Sequence, residues 1–174
     1  MEKKIFADLF EEYQLPLYRY LLQMSRNKQV AEELLQETFY RAMISLNVQY
    51  VKEPKAWLFK VARNLYIDTS RKSKSEKRMV ERIKTESTQN SDIGNPDESL
   101  ENKSRQEHIE SVLDRLPERM RTVLYLREIQ EFTYKEIVST TGLSDSQVKT
   151  TLHRARKKFR YYDELLRGRS IDGR

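Results

Sequence analysis

The chain has 174 residues, 37% apolar and 34% charged with only four Gly and four Pro, a balance that suits one or two small, mostly helical domains and is too polar for one deep core. The absence of cysteine excludes disulfides, thiolate zinc sites and cysteine redox chemistry. Lys and Arg exceed Asp and Glu by 33 to 27, a net charge of +6 that is compatible with a polyanionic partner without demanding one. No apolar run approaches the ~20 residues of a membrane span and no signal-peptide pattern opens the chain, so a cytoplasmic protein without membrane insertion is expected.

From Ile5 to Met24 the apolar positions Phe6, Leu9, Phe10, Tyr13, Leu17, Tyr20, Leu21 and Met24 follow helical steps interrupted by Pro16. Proline removes an internal hydrogen bond, which predicts two helices, or one kinked helix, meeting near Gln14 to Pro16. A second helix from about Gln29 to Leu46 would bury Val30, Leu34, Leu35, Phe39, Ala42, Met43 and Leu46 and expose Glu32, Glu33, Gln36 and Glu37. An acidic and amide cluster of this kind is either a solvated face or a docking surface for a basic protein.

A third helix starts near Lys55 after Pro54, with Trp57, Leu58, Val61, Ala62 and Leu65 as its apolar stripe. Phe59, Arg63 and Tyr66 share a face displaced from that stripe, and Lys60, Asn64 and Arg71 lie elsewhere around the polar side. Between Lys60 and Arg78 there are seven cations and two acids. Aromatics interleaved with Arg and Asn suit unpaired bases, which offer faces to stack on and a backbone that cations can follow. For Trp57 core packing is the expectation; for Phe59 and Tyr66 core and base stacking are equally open.

The stretch 85–99, TESTQNSDIGNPDES, loses periodicity and marks a connector between two lobes. Beyond it, His108–Leu116 and Glu118–Ile129 read as two helices divided by Pro117. Their apolar residues would supply the floor on which the segment 132–160 rests.

That segment reads FTYKEIVSTTGLSDSQVKTTLHRARKKFR. Thr133 with Glu136 and Ser144 with Gln147 both fit the capping box, so helices begin near 134 and 145. Gly142 supplies the left-handed turn between them, which makes a helix-turn-helix. In the second helix Val148, Leu152, Ala155 and Phe159 form the buried stripe. The opposite face carries Gln147, Lys149, Thr150, Thr151, His153, Arg154, Arg156, Lys157 and Lys158, and from Ser144 to Arg160 six Lys or Arg face one acid, Asp145. A short, capped, basic helix suits the major groove of DNA. The tail, LLRGRSIDGR, is expected to be disordered.

His108 and His153 are the only histidines and lie far apart; no nucleophile–base set, phosphate loop or metal motif appears. No enzyme activity, metal or cofactor is expected. Two alternatives remain open on these residues: a helix-turn-helix repressor or activator with a dimerising lobe, and a membrane-surface or partner-protein module.

Taken in order, AEELLQETFYRA (31–42), PKAWLFKVARNLYID (54–68), LPERMRTVLYLREIQEFTYKEI (116–137) and LSDSQVKTTLHRARKKF (143–159) resemble regions 2.2, 2.3–2.4, 4.1 and 4.2 of an extracytoplasmic-function (ECF) sigma factor of the sigma-70 family. The resemblance implies an all-α chain of two small helical domains. Residues 1–78 would dock core RNA polymerase and melt the −10 element, 79–104 form the linker, 105–165 read the −35 element, and 166–174 form a tail. It implies that Glu33, Gln36 and Glu37 meet the β′ clamp helices and that Phe59, Lys60, Arg63, Asn64, Tyr66, Arg71 and Lys72 serve the −10 strand, Asn64 capturing a flipped base. Gln147, Lys149, Thr150, Thr151, His153, Arg154 and Lys157 would serve the −35 duplex. Further implied partners are the β flap, promoter DNA and an anti-sigma factor.

Overall fold

The computed structural model describes residues 2–46, 51–80 and 99–171. Among these, seven helices and no strand occur, and the chain divides into two compact units, Met1–Asp92 and Ile93–Arg174. Residues 81–98, which contain most of the expected connector, lie outside the described residues.

In the first unit α1 (Glu2–Ser25), α2 (Lys28–Leu46) and α3 (Pro54–Val80) each pack on the other two. α1 is continuous through Pro16, where two helices or a kink are expected. The carbonyl that proline deprives of a donor belongs to Glu12, an exposed residue, while packing holds both ends of the helix. Phe10 meets Phe39 with ring centroids 4.8 Å apart, and Leu17, Tyr20, Leu21 and Met24 enter the core. Arg26, at φ 52°, ends α1 with its amide donating to the Leu22 carbonyl. Asn27 then caps α2, its Oδ1 accepting from the Val30 amide at 3.1 Å.

The core shared with α3 comprises Ala56, Leu58, Phe59, Ala62 and Leu65. Phe59 is fully buried, its ring 5.7 Å from that of Tyr20. Trp57, expected in the core, is only half-buried. Met43, also expected inside, is 44% exposed because α2 turns Leu34, Phe39 and Ala42 inward instead.

In the second unit α4 (Leu100–Asp114), α5 (Glu118–Glu128) and α6 (Tyr134–Thr141) all pack on α7 (Asp145–Ile171). α4 begins eight residues before His108 and takes in positions 100–104, assigned to the linker by sequence. α7 likewise runs through Ile171, so residues 166–171, expected to form a disordered tail, continue the recognition helix. Two side-chain ties join α4 and its C-cap to α7 ahead of that continuation: His108 Nε2 lies 2.6 Å from Asp163 Oδ1, and the Arg115 guanidinium sits 5.9 Å from the Tyr162 ring. Pro117 occupies the cap of α5 and not its first helical position.

Candidate nucleic-acid interface

The turn that presents α7 is fixed locally. The Glu136 amide donates to Thr133 Oγ1 and the Thr133 amide donates to Glu136 Oε1, both at 3.1 Å, closing the box that starts α6. Gly142 ends α6 at φ 74°, a left-handed conformation that a side chain reaches only with strain. The second box comes at once: the Ser144 amide donates to Gln147 Oε1 at 2.9 Å, and the Gln147 amide donates to Ser144 Oγ at 3.2 Å. Gln147 therefore commits its carbonyl oxygen to the cap and keeps its amide nitrogen as a donor toward solvent.

Val148, Leu152 and Ala155 are buried, so the polar candidates divide into two flanks around them. On one flank Gln147, Thr150, Thr151 and Arg154, together with Ser146, line a notch of about 230 Å³. Arg119, in the first turn of α5, completes its wall. Sequence reading missed Arg119 because α5 read as scaffold; its position two residues after Pro117 carries no signal that it returns to the recognition helix.

On the other flank stand Lys149, His153 and Arg156. Lys149 is exposed and pairs with Asp145 at 2.9 Å, a hydrogen bond that raises its pKa above the usual lysine value. Its ammonium lies 6.0 Å from the Tyr134 ring, over which the Arg127 guanidinium sits at 4.6 Å. His153 and Lys157 are exposed. Arg156 is engaged by Glu128 of α5.

In the first unit the −10 candidates separate. Trp57, Val61 and Asn64, from α3, join Arg41, Ile44 and Ser45, from α2, around a notch of about 270 Å³. Trp57 and Asn64 are seven residues apart and so differ by only ~20° around the helix. Lys60, Arg71 and Lys72 are exposed, while Arg63 and Tyr66 are half-buried. Phe59 leaves the candidate list: a ring with no exposed surface, packed on Tyr20, cannot stack a base without opening the core. Trp57 takes its place as the accessible aromatic beside Asn64.

On α2, Glu33 and Gln36 are exposed and Glu37 is half-buried. Glu33 accepts from Gln29 at 3.3 Å, and Glu37 pairs with Arg41 at 2.9 Å. Tyr40, Met43 and Ile44 are 55%, 44% and 47% exposed at helical steps from this cluster. The face is thus acidic with an apolar strip, a mixture that favours a protein partner over nucleic acid. Among the described residues no group of His, Cys, Asp and Glu is arranged to hold a metal ion, and no helix is long and apolar enough to cross a membrane.

A capped helix-turn-helix in one unit, and a basic helix with an Asn–Trp notch behind an acidic face in the other, define the architecture of a two-part promoter-binding factor. The family models for Sigma-70 region 2 and Sigma-70 region 4 match residues 9–76 and 106–159, in that order. The ECF RNA polymerase sigma factor SigM of Bacillus subtilis (strain 168) is 35% identical over 153 residues, 88% of this chain and 91% of that protein. SigX of the same organism is 31% identical over 175 residues, 98% and 89% of the two chains. This chain accordingly belongs to the ECF sigma factors of the sigma-70 family. Its fold is shared with the sigma factor RpoE of Bartonella quintana, solved with the anti-sigma factor NepR, at a TM-score of 0.77 and 23% identity over 94% of this chain and 98% of that one. It is shared also with CnrH, solved with the cytosolic domain of CnrY, at 0.66 and 19% over 94% and 90%.

Proposed function

We propose that this chain joins core RNA polymerase in the cytoplasm, directs it to promoters with defined −35 and −10 elements, and promotes strand opening without catalysing a reaction of its own. The observation that carries this reading is the convergence of Gln147, Thr150, Thr151 and Arg154 on one exposed notch near the start of a recognition helix opened by a capping box. Donors at the N-terminal end of such a helix reach base edges in the major groove, while later cations such as Lys157 meet phosphates. Lys149 and His153 serve the same duplex from the other flank.

The −10 strand engages Asn64 and Trp57, with Lys60, Arg71 and Lys72 following the backbone and Arg63 and Tyr66 in support. Stacking and hydrogen bonding to an extruded base repay the cost of unpairing, so binding energy alone suffices for melting. Glu33, Gln36 and Glu37, with Tyr40, Met43 and Ile44 beside them, form the surface for the basic β′ clamp helices, and the second unit meets the β flap. The segment between α3 and α4 tethers the two DNA-binding parts. The sigma factor RpoE, which shares this fold, was solved with the anti-sigma factor NepR, which supports a similar partner here.

Run-off transcription by purified core polymerase on a promoter library, with and without this chain, tests the reading. Transcripts from a sequence-defined subset that depend on the chain are expected. Transcription no different from core polymerase alone refutes it.

A further inference from the structure

Arg156 stands on the recognition helix among Lys149, His153 and Arg160, at spacings of seven, three and four residues that place all four on one side of α7. Its charge is nevertheless not left to that side. Nε and Nη2 both donate to Oε1 of Glu128, at 2.8 and 2.5 Å, across a sequence separation of 28 residues. Glu128 is the last residue of α5, where the carbonyl ends of the helix disfavour a carboxylate; what compensates it there is the guanidinium of another helix. Its neighbour Arg127 works in a different direction, donating to the Phe132 carbonyl at 2.8 Å and covering the Tyr134 ring. One dipeptide at the end of α5 thereby holds the entry to α6 with one side chain and the middle of α7 with the other.

The pair is half exposed on both sides, at 47% and 48%, and exposed ion pairs add little to stability. Geometry is what it supplies. A two-donor contact from a planar fork to a fixed carboxylate restricts rotation of α7 about its own axis, and that rotation decides whether Gln147, Thr150, Thr151 and Arg154 meet base edges squarely. We infer that Glu128 is a positioning residue for promoter reading: through Arg156 it sets the roll of the recognition helix on α5 and withholds one cation from the DNA backbone. The inference rests on the −35 reading of α7. It turns part of the basic face from a phosphate anchor into an internal strut.

The test uses holoenzyme reconstituted from the full chain and core polymerase, with a −35 duplex selected by that holoenzyme from a random library and a scrambled duplex as control. In Glu128→Gln, whose neutral amide holds the guanidinium only weakly, Arg156 is expected to turn to a phosphate, tightening the scrambled duplex and steepening the salt dependence by about 0.9 in log–log slope. The ratio of affinities between the two duplexes falls by roughly fivefold or more as base contacts lose alignment. Arg156→Ala lowers that ratio with no change in slope. Thermal unfolding of Arg156→Ala stays near that of the parent, a loss of reading without a loss of stability that a merely structural pair would not produce, and the exchange Glu128→Arg with Arg156→Glu restores the ratio. The inference is overturned if Glu128→Gln leaves ratio and slope unaltered. It is equally overturned if Arg156→Ala flattens the slope by about 0.9 on both duplexes, which would make Arg156 an ordinary phosphate contact. Failure of the unaltered holoenzyme to select any −35 sequence strikes instead at the reading of α7 itself, and is recognised before any variant is made.

Discussion

α3 and α7 both carry faces proposed for nucleic acid, yet they differ in what decides which side of the helix faces out. The start and entry of α7 are fixed by its own neighbourhood, a glycine at φ 74°, a capping box at Ser144 and Gln147, and a second box one helix earlier, leaving only its roll to the Glu128–Arg156 contact. The glycine and the two boxes lie within fifteen residues of one another. α3 has only Pro54 to mark its start, and its rotation is decided by Tyr20, a residue of another helix into whose ring Phe59 packs. The lesson is that a locally punctuated helix exposes its functional face in the sequence, whereas a helix rotated by distant packing does not.

The sharpest way to break this comparison is to test the two aromatics of α3 against each other. Phe59→Ala is expected to cost about 3–5 kcal/mol, the usual range for emptying a buried phenylalanine site. Trp57→Ala, at a half-buried position, should cost far less stability and instead impair opening of the −10 region in potassium permanganate footprints. The chain holds one tryptophan, so Trp57 fluorescence during urea unfolding reports the first unit directly for the Phe59 variant. Equal losses of stability from both substitutions would return Trp57 to the core and undo the reassignment.

For α7 the matching test concerns reading and not folding. Arg154→Ala should cost ~1–3 kcal/mol on the preferred −35 duplex if it makes a bidentate base contact, and should relax preference at one position. A uniform loss on every sequence would identify a phosphate anchor. Lys149→Ala, which also gives up its pair with Asp145 at 2.9 Å, should show the smaller effect, measured by holoenzyme binding to single-base variants of the duplex. Gly142→Ala probes the punctuation itself. No atom crowds the position within 4 Å, so the expected loss of ~1–2 kcal/mol comes from backbone strain alone, and thermal unfolding of the second unit measures it.

How far the fold could be read obeys the same division. Gly142 and both capping boxes were legible because each rests on contacts within about one turn of the chain, and Val148, Leu152 and Ala155 because helical spacing puts them on one stripe, although Phe159, expected with them, is only half-buried. The continuity of α1 through Pro16 was not, since propensity alone ends a helix at proline and only the packing of Phe10 on Phe39 and of Tyr20 in the core outweighs it. Arg119 was invisible for a related reason. Nothing in ERMRTVLYLRE indicates that its second residue shares a notch with Thr150 and Arg154, far along the chain. The acidic cluster at Glu33, Gln36 and Glu37 could be read, but its apolar strip could not: Met43 fits the inward periodicity of α2 and lies outside it by a fraction of a turn.

The C-terminal extension of α7 offers the smallest effect and a clean sign. Asp163 accepts from His108 at 2.6 Å and from Arg167 at 3.0 Å; the first contact, then the second, holds its carboxyl below the usual carboxylate range. A folded-state pKa below the unfolded one means that the carboxylate stabilises the fold above the unfolded value and loses that contribution as pH falls through the folded one. The gain should therefore be present above the carboxylate range and disappear in the acid range below about pH 4. Asp163→Asn removes the charge, so its stability should match the parent in acid and fall below it at pH 6. Because Trp57 lies in the other unit, hydrogen exchange of the α4 and α7 amides is the suitable measure, with faster exchange expected in the variant only above the carboxylate range. Identical exchange at both pH values would mean that the Asp163 carboxylate contributes nothing to the last turns of α7.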